Sequence, residues 1–209
     1  MLIRIAVALV AIVTLALVGG SLLMGLMSGS DDRFAQCREG EVAGGLGAIG
    51  GPFTLVDGSG ATVTDADVIT EPSLVYFGYT FCPDVCPLDT ARNALAVDLL
   101  AERGLDAQPV FISVDPARDT PEVVAAYAEN FHDDMIGLTG DADQVRAASQ
   151  AYRTYYSAGA TPEEDPYYLV DHSTFTYLVL PDAGVVEFFR RSTPAEEVAD
   201  RTACFIAAS

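Results

Sequence analysis

Residues 73–79 (SLVYFGY) and 109–115 (PVFISVD) are two nearly unbroken apolar runs. A strand with one wet face alternates apolar and polar side chains, whereas a strand buried on both faces does not. Both runs are therefore expected as interior strands. A helical pattern follows each of them. Residues 87–102 carry Leu88, Ala91, Leu95 and Leu99 at helical spacing, and Gly104 ends the stretch. Thr120-Pro121 supplies an N-cap and a first-turn proline for a helix reaching about Asn130. Strand–helix–strand units of this kind call for a mostly parallel central sheet with right-handed crossovers.

The flanking pattern completes the order. Residues 53–57 and 61–64, around Gly58-Ser59-Gly60, read as a hairpin. Residues 136–139 form a short strand, and Asp141 caps a helix to about Tyr152. An acidic loop follows at Glu163-Glu164-Asp165. Residues 174–180 and 185–189 are strands joined by the turn Pro181-Asp182-Ala183-Gly184. Thr193, Pro194 and Glu196 form a capping box before the last helix. The order hairpin, β, α, β, α, β, α, β, β, α is that of an α/β, thioredoxin-like fold with an N-terminal β-hairpin and an inserted helix and strand. It occupies residues 51–209 as one domain.

Residues 1–30 are of another kind. They hold one base, Arg4, and no acid, and the run from about 5 to 27 is uncharged. A helix of that length crosses a hydrocarbon core of about 30 Å. Ser28-Gly29-Ser30 invites a signal-peptide reading, but the run exceeds the usual h-region of about 7–15 residues. The expectation is one transmembrane helix, an uncleaved anchor in a bacterial inner membrane. Arg4 puts the N-terminus in the cytoplasm and the following domain in the periplasm. Residues 31–50, rich in glycine and small residues, read as a tether.

The formal net charge is -19, from 30 acids against 11 bases, all of them Arg. Such a chain lacks the cations that meet phosphates, so nucleic acid is excluded as a partner. The acidity belongs to the exported part.

The chemistry begins directly after the first buried strand, at Cys82-Pro83-Asp84-Val85-Cys86-Pro87. A helix N-terminus carries partial positive charge and stabilises a thiolate. Cysteines four apart share one side of a helical turn, with Cβ atoms about 5–6 Å apart. That separation serves a disulfide after small adjustment, or two sulfur ligands for one metal ion. His172 is the candidate third ligand, in the loop before the strand at 174–180. In thioredoxin-like topology that loop packs against the start of the cysteine helix. Two soft sulfurs and one imidazole suit Cu(I), and with one further ligand Cu(II). Zinc would want a fourth protein ligand. Asp84 and Asp171 are the nearest candidates in sequence. His132, the other histidine of the two, follows a helix end and has a dipole reading.

Residues 51–191 resemble the Sco/SenC family of copper-binding, thioredoxin-like proteins that assemble cytochrome c oxidase. The resemblance rests on VYFGYTFCPDVCP at 75–87, VFISVDPARDTPE at 110–122, IGLTG at 136–140, YRTYY at 152–156 and YLVDHSTFTYLVLPDAG at 168–184. It implies copper binding through Cys82, Cys86 and His172. It also implies service as metallochaperone, thiol-disulfide reductase or both for the dinuclear copper site of oxidase subunit II. A copper donor protein and a thiol reductant would then be partners. Arg118 and Asp119 fall in the matching segment and are read as turn and helix-start residues. Two alternatives stand beside this one: a thiol-disulfide oxidoreductase without physiological metal, with Cys82 or Cys86 as the attacking sulfur, and a peroxidase on the same fold.

Cys37 and Cys204 lie outside the matching stretches. They could pair with each other, stay free, or in the case of Cys37 pair with another chain. Tyrosines 152, 155, 156, 167, 168 and 177 are read as strand and core packing.

Overall fold

The computed structural model describes residues 33–38 and 46–209. The span expected at about 5–27 lies outside these residues. Among the described residues no helix is long and apolar enough to cross a membrane. The chain divides into two units, 1–36 and 37–209. The described part of the first is a turn in which the Arg33 guanidinium lies 4.7 Å from the Phe34 ring centroid. The second unit carries the fold.

A seven-stranded sheet is built from β1 (Thr54–Asp57), β2 (Thr62–Thr64), β3 (Ser73–Gly78), β4 (Gln108–Ser113), β5 (Ile136–Thr139), β8 (Thr176–Leu180) and β9 (Gly184–Phe189). Its order is β2-β1-β5-β4-β3-β8-β9. The centre, β5-β4-β3, is parallel, and the outer pairs are antiparallel. Every residue of β3 and β4 is buried, as their unbroken apolar runs require. The helices are α1 (Asp65–Val68), α2 (Val85–Ala101), α3 (Pro121–Glu129), α4 (Ala142–Ala151) and α5 (Ala195–Ala207). This is the mixed α/β, thioredoxin-like arrangement.

Two elements escaped the sequence reading. One is the short helix α1. The other is a separate two-stranded hairpin, β6 (Tyr156–Ala158) with β7 (Val170–His172). His172 is thus the last residue of a strand, paired with Tyr156, rather than a loop residue. Three-residue strands rich in Tyr, Ser and Asp carry too little alternation to be seen. Leu46 also packs into the core, from a 3-10 turn at Leu46–Ala48 inside the stretch expected to be a tether.

The helix after β3 shows a different phase from the one its leucines suggest. Leu88 and Leu95 are 60% and 46% exposed. The buried face is Cys86, Asp89, Thr90, Asn93, Ala94, Val97 and Leu100. Its polar members are all engaged. Tyr76 donates to Asp89 at 3.2 Å, Asn93 Nδ2 donates to Thr176 Oγ1 at 3.0 Å, and Thr90 and Tyr127 share a bond of 3.3 Å. Buried polar groups that find partners are tolerated, and here they disguise the inner face as an outer one.

The caps follow the sequence more closely. The Thr120 side chain accepts from the Val123 amide, and Asp141 accepts from the amides of Asp143 and Gln144. The last helix begins one residue later than expected, with Pro194 at the N-cap and no side-chain cap bond. The tyrosines divide. Tyr152, Tyr168 and Tyr177 are buried, and Tyr152 and Tyr177 pack with Phe77 at centroid distances of 5.2–6.1 Å. Tyr155 and Tyr167 are exposed.

Cys37 and Cys204 form a disulfide, with 5.6 Å between their Cα atoms and 167 residues of sequence separation. It fastens the start of this unit to α5. Closing so long a loop restricts the unfolded chain and stabilises the fold by about 3–5 kcal/mol on the chain-entropy model.

Candidate metal centre

The end of β3 is built for close approach. A Cβ added at Gly78 would lie 2.8 Å from the Tyr76 ring, 3.0 Å from that of Phe111 and 3.1 Å from Cys86 Sγ. Only glycine lets the first turn of α2 settle over the strand with Cys86 beneath it. After Gly78 the chain turns, with the Cys82 amide donating to the Tyr79 carbonyl at 3.3 Å. The turn is pinned from the side by Asp119. That buried carboxylate accepts from the Thr80 amide and hydroxyl (2.9 and 2.6 Å) and from the Ser113 hydroxyl (2.6 Å). Burial holds the Asp119 carboxyl above its ordinary range, against these same hydrogen bonds. Asp119 therefore does more than shape a turn. It ties the cysteine loop to β4.

Cys82 precedes α2 and Cys86 lies in its first turn. Asp84 stands at the N-cap position, but its side chain makes no cap bond. The Cys82 sulfur takes that role, accepting from the Cys86 amide at 3.4 Å. Burial pushes the Cys82 thiol up, yet the amides of Asp84, Cys86 and Val85 outweigh it and leave the pKa below the usual thiol value. Cys86 is buried, and that burial drives its thiol in the opposite direction, well above the usual range.

The imidazole arrives from β7. His172 Nδ1 lies 2.9 Å from the Ser173 carbonyl, a contact that Nδ1–H makes as donor. The tautomer so fixed leaves the Nε2 lone pair facing Cys86 Sγ at 3.2 Å. Burial lowers the His172 pKa, against the pull of the Ser173 carbonyl, and favours the neutral ring. Edge-on contacts from Tyr79 (5.7 Å, 90°) and Tyr76 (6.2 Å, 82°) hold the ring in place.

Cys82, Cys86 and His172 thus present one ligand atom each, all within 4.8 Å of one another. Two donors of one ion stand no farther apart than two bonds of about 2.3 Å, or about 4.6 Å. The donor set therefore fits a single soft ion with side-chain adjustments of roughly a few tenths of an ångström. Asp84 and Asp171 do not join the cluster, which is the one potential metal site among the described residues. His132 is elsewhere, with Nε2 3.4 Å from Asp98 and Nδ1 accepting from the Asp134 amide at 3.0 Å. Beside the centre the aromatic rings of Phe81 and Tyr167 are exposed and lie 6.1 Å apart.

A thioredoxin-like domain that gathers two thiols and an oriented imidazole belongs to the class of proteins that handle soft metal ions or disulfides. Known proteins narrow the class. Residues 43–207 match the SCO1/SenC family model. Protein SenC of Rhodobacter capsulatus is 55% identical over 189 residues, 90% of this chain and 84% of that protein. The mitochondrial SCO1 homolog 1 of Arabidopsis thaliana is 42% identical over 164 residues, 78% of this chain but 48% of its own length. The crystal structure of Arabidopsis thaliana ScoI with copper bound aligns with a TM-score of 0.70 at 38% identity, over 77% of this chain and 99% of that one. The chain belongs to the SCO1/SenC family.

Proposed function

We propose that this protein binds copper through Cys82, Cys86 and His172 and serves in assembly of the dinuclear copper site of cytochrome c oxidase subunit II. The observation that carries this reading is the convergence of two sulfurs and one tautomer-fixed imidazole within 4.8 Å. The copper-bound structure of a relative supports the choice of metal. Copper is cargo here. Two thiolates and a neutral nitrogen favour Cu(I) over harder ions, and a thiolate of lowered pKa is the first donor available. Exposed Phe81 and Tyr167 give a partner protein apolar surface to dock on beside the donors. The apolar run at about 5–27 would anchor the chain in a bacterial inner membrane with this domain in the periplasm. There a copper donor protein and a thiol reductant would act on it.

Anaerobic Cu(I) titration of the reduced protein against a competing chelator tests the metal site. Tight 1:1 binding is expected, lost in Cys82→Ser and Cys86→Ser and weakened in His172→Ala. Equal affinity in all four proteins would sink the reading.

A second role is favoured by the opposite pKa shifts of the two cysteines. In a thiol-disulfide reductase the Cys82 thiolate attacks one sulfur of a partner disulfide, forming a mixed disulfide and releasing a partner thiolate. Cys86 then attacks the Cys82 sulfur, its proton passing to His172 Nε2, and the second partner thiolate leaves. The cysteine pair ends oxidised and the partner disulfide reduced. Mixing the reduced protein with an oxidised subunit II domain and counting thiols tests this. No gain of thiols on the partner would leave metal delivery alone.

A further inference from the structure

The candidate centre is assembled from two pieces that share no strand pairing. The cysteines belong to the main sheet and α2. His172 belongs to the β6–β7 hairpin, which pairs with no strand of the main sheet. A two-stranded hairpin on its own is marginal in water. Something other than strand pairing must therefore hold it at the cysteine loop.

Tyr168 and Val170 join the main core, and the loop between β4 and α3 adds a charged contact through Arg118. Its Nε donates to Asp115 Oδ2 at 2.6 Å, and Asp115 in turn accepts from the Tyr168 hydroxyl. The guanidinium carbon lies 3.5 Å from the centroid of the Tyr168 ring and 4.8 Å from that of Phe81. Its Nη1 donates to the Pro166 carbonyl at 3.3 Å. Phe81 is the residue before Cys82, and Tyr168 lies two residues before the strand that ends at His172. One side chain is therefore inserted between the two pieces, against the Phe81 ring on one side and hydrogen-bonded to Pro166 and stacked on Tyr168 on the other. It is only 14% exposed, a setting in which cation–π attraction gains strength. Its Nη2 is buried with no hydrogen-bond partner. The aromatic faces therefore add to the two acceptors in holding the guanidinium.

We propose that Arg118 is a positioning residue of the metal centre, clamping the His172 hairpin to the cysteine loop so that Nε2 reaches the two sulfurs. This rests on the reading of the three side chains as copper ligands. Arg118 touches none of them and acts through His172.

The test uses the full chain, reduced and loaded with one Cu(I). Two readouts are taken: affinity by chelator competition, and copper X-ray absorption for the histidine scattering beside the two sulfurs. Arg118→Leu is expected to lower affinity about as much as His172→Ala, within the about 10–100-fold range of residues that orient metal ligands, and to lose the histidine scattering. In the double variant Arg118→Leu/His172→Ala the losses should not multiply, agreeing with His172→Ala within about twofold. Arg118→Lys keeps the charge but not the flat stack, and Tyr168→Leu removes the other face. Both should also lose histidine scattering, and they decide the matter if Arg118→Leu does not fold. Histidine scattering unchanged in these variants, or losses that multiply in the double variant, would overturn the clamp. An unchanged affinity in His172→Ala would instead overturn the ligand reading itself.

Discussion

Cys82 and Cys86 are four residues apart in sequence and opposite in chemistry. Helix amides hold the first toward thiolate, and burial holds the second as thiol. Reaction with iodoacetamide should therefore label Cys82 first, at pH values below the usual thiol titration. Because the folded-state pKa of Cys82 is lowered, its reactive thiolate persists as pH falls until that lowered value is crossed. Peptide mapping checks this, and earlier labelling of Cys86 would contradict it. Gly78→Ala should push the Cys86 sulfur out of place, costing about 1–3 kcal/mol by overpacking and weakening Cu(I) binding, as urea unfolding and titration would measure. At this scale the meeting of Cys82, Cys86 and His172 was legible, since a CxxxC at a strand–helix junction and one suitably placed histidine leave few choices. Asp119 and Arg118 were not. A polar residue in a loop looks the same in sequence whether it faces solvent or holds two loops together.

Elements were legible where burial is complete and obscure where it is partial. The strands β3 and β4 follow directly from their runs. The helix α2 does not, because its inner face mixes Thr, Asn and Asp with Ala, Val and Leu100 while Leu88 and Leu95 point outward. Stability measurements should expose the difference. Leu100→Ala, fully buried, is expected to cost about 2–5 kcal/mol, and Leu95→Ala, on the outer face, to stay within about 0.5 kcal/mol. Comparable losses at the two positions would mean that α2 is rotated from the arrangement described. The β6–β7 hairpin was invisible because each strand has three residues, and its place comes from contacts distant in sequence rather than from any pattern of its own.

Across the whole molecule, one bridge and one open pair of cysteines coexist. Replacing Cys37 and Cys204 by Ser should lower unfolding stability by about 2–5 kcal/mol while leaving Cu(I) stoichiometry at one, as calorimetry and titration of the same sample would show. Loss of copper binding in that variant would tie the bridge to the site. The coexistence also sets a demand on the surroundings. A milieu oxidising enough to keep Cys37 joined to Cys204 drives Cys82 and Cys86 toward a disulfide as well, and a disulfide offers a metal no thiolate. With the Cys82–Cys86 pair as the metal ligands proposed above, the protein would need an electron donor that distinguishes two sulfur pairs in one chain. Exposure alone does not make that choice, since Cys204, like Cys82, is partly open to solvent while Cys37 and Cys86 are buried. Supply of electrons to the Cys82–Cys86 pair, rather than supply of metal, would then be the step at which loading is permitted or refused.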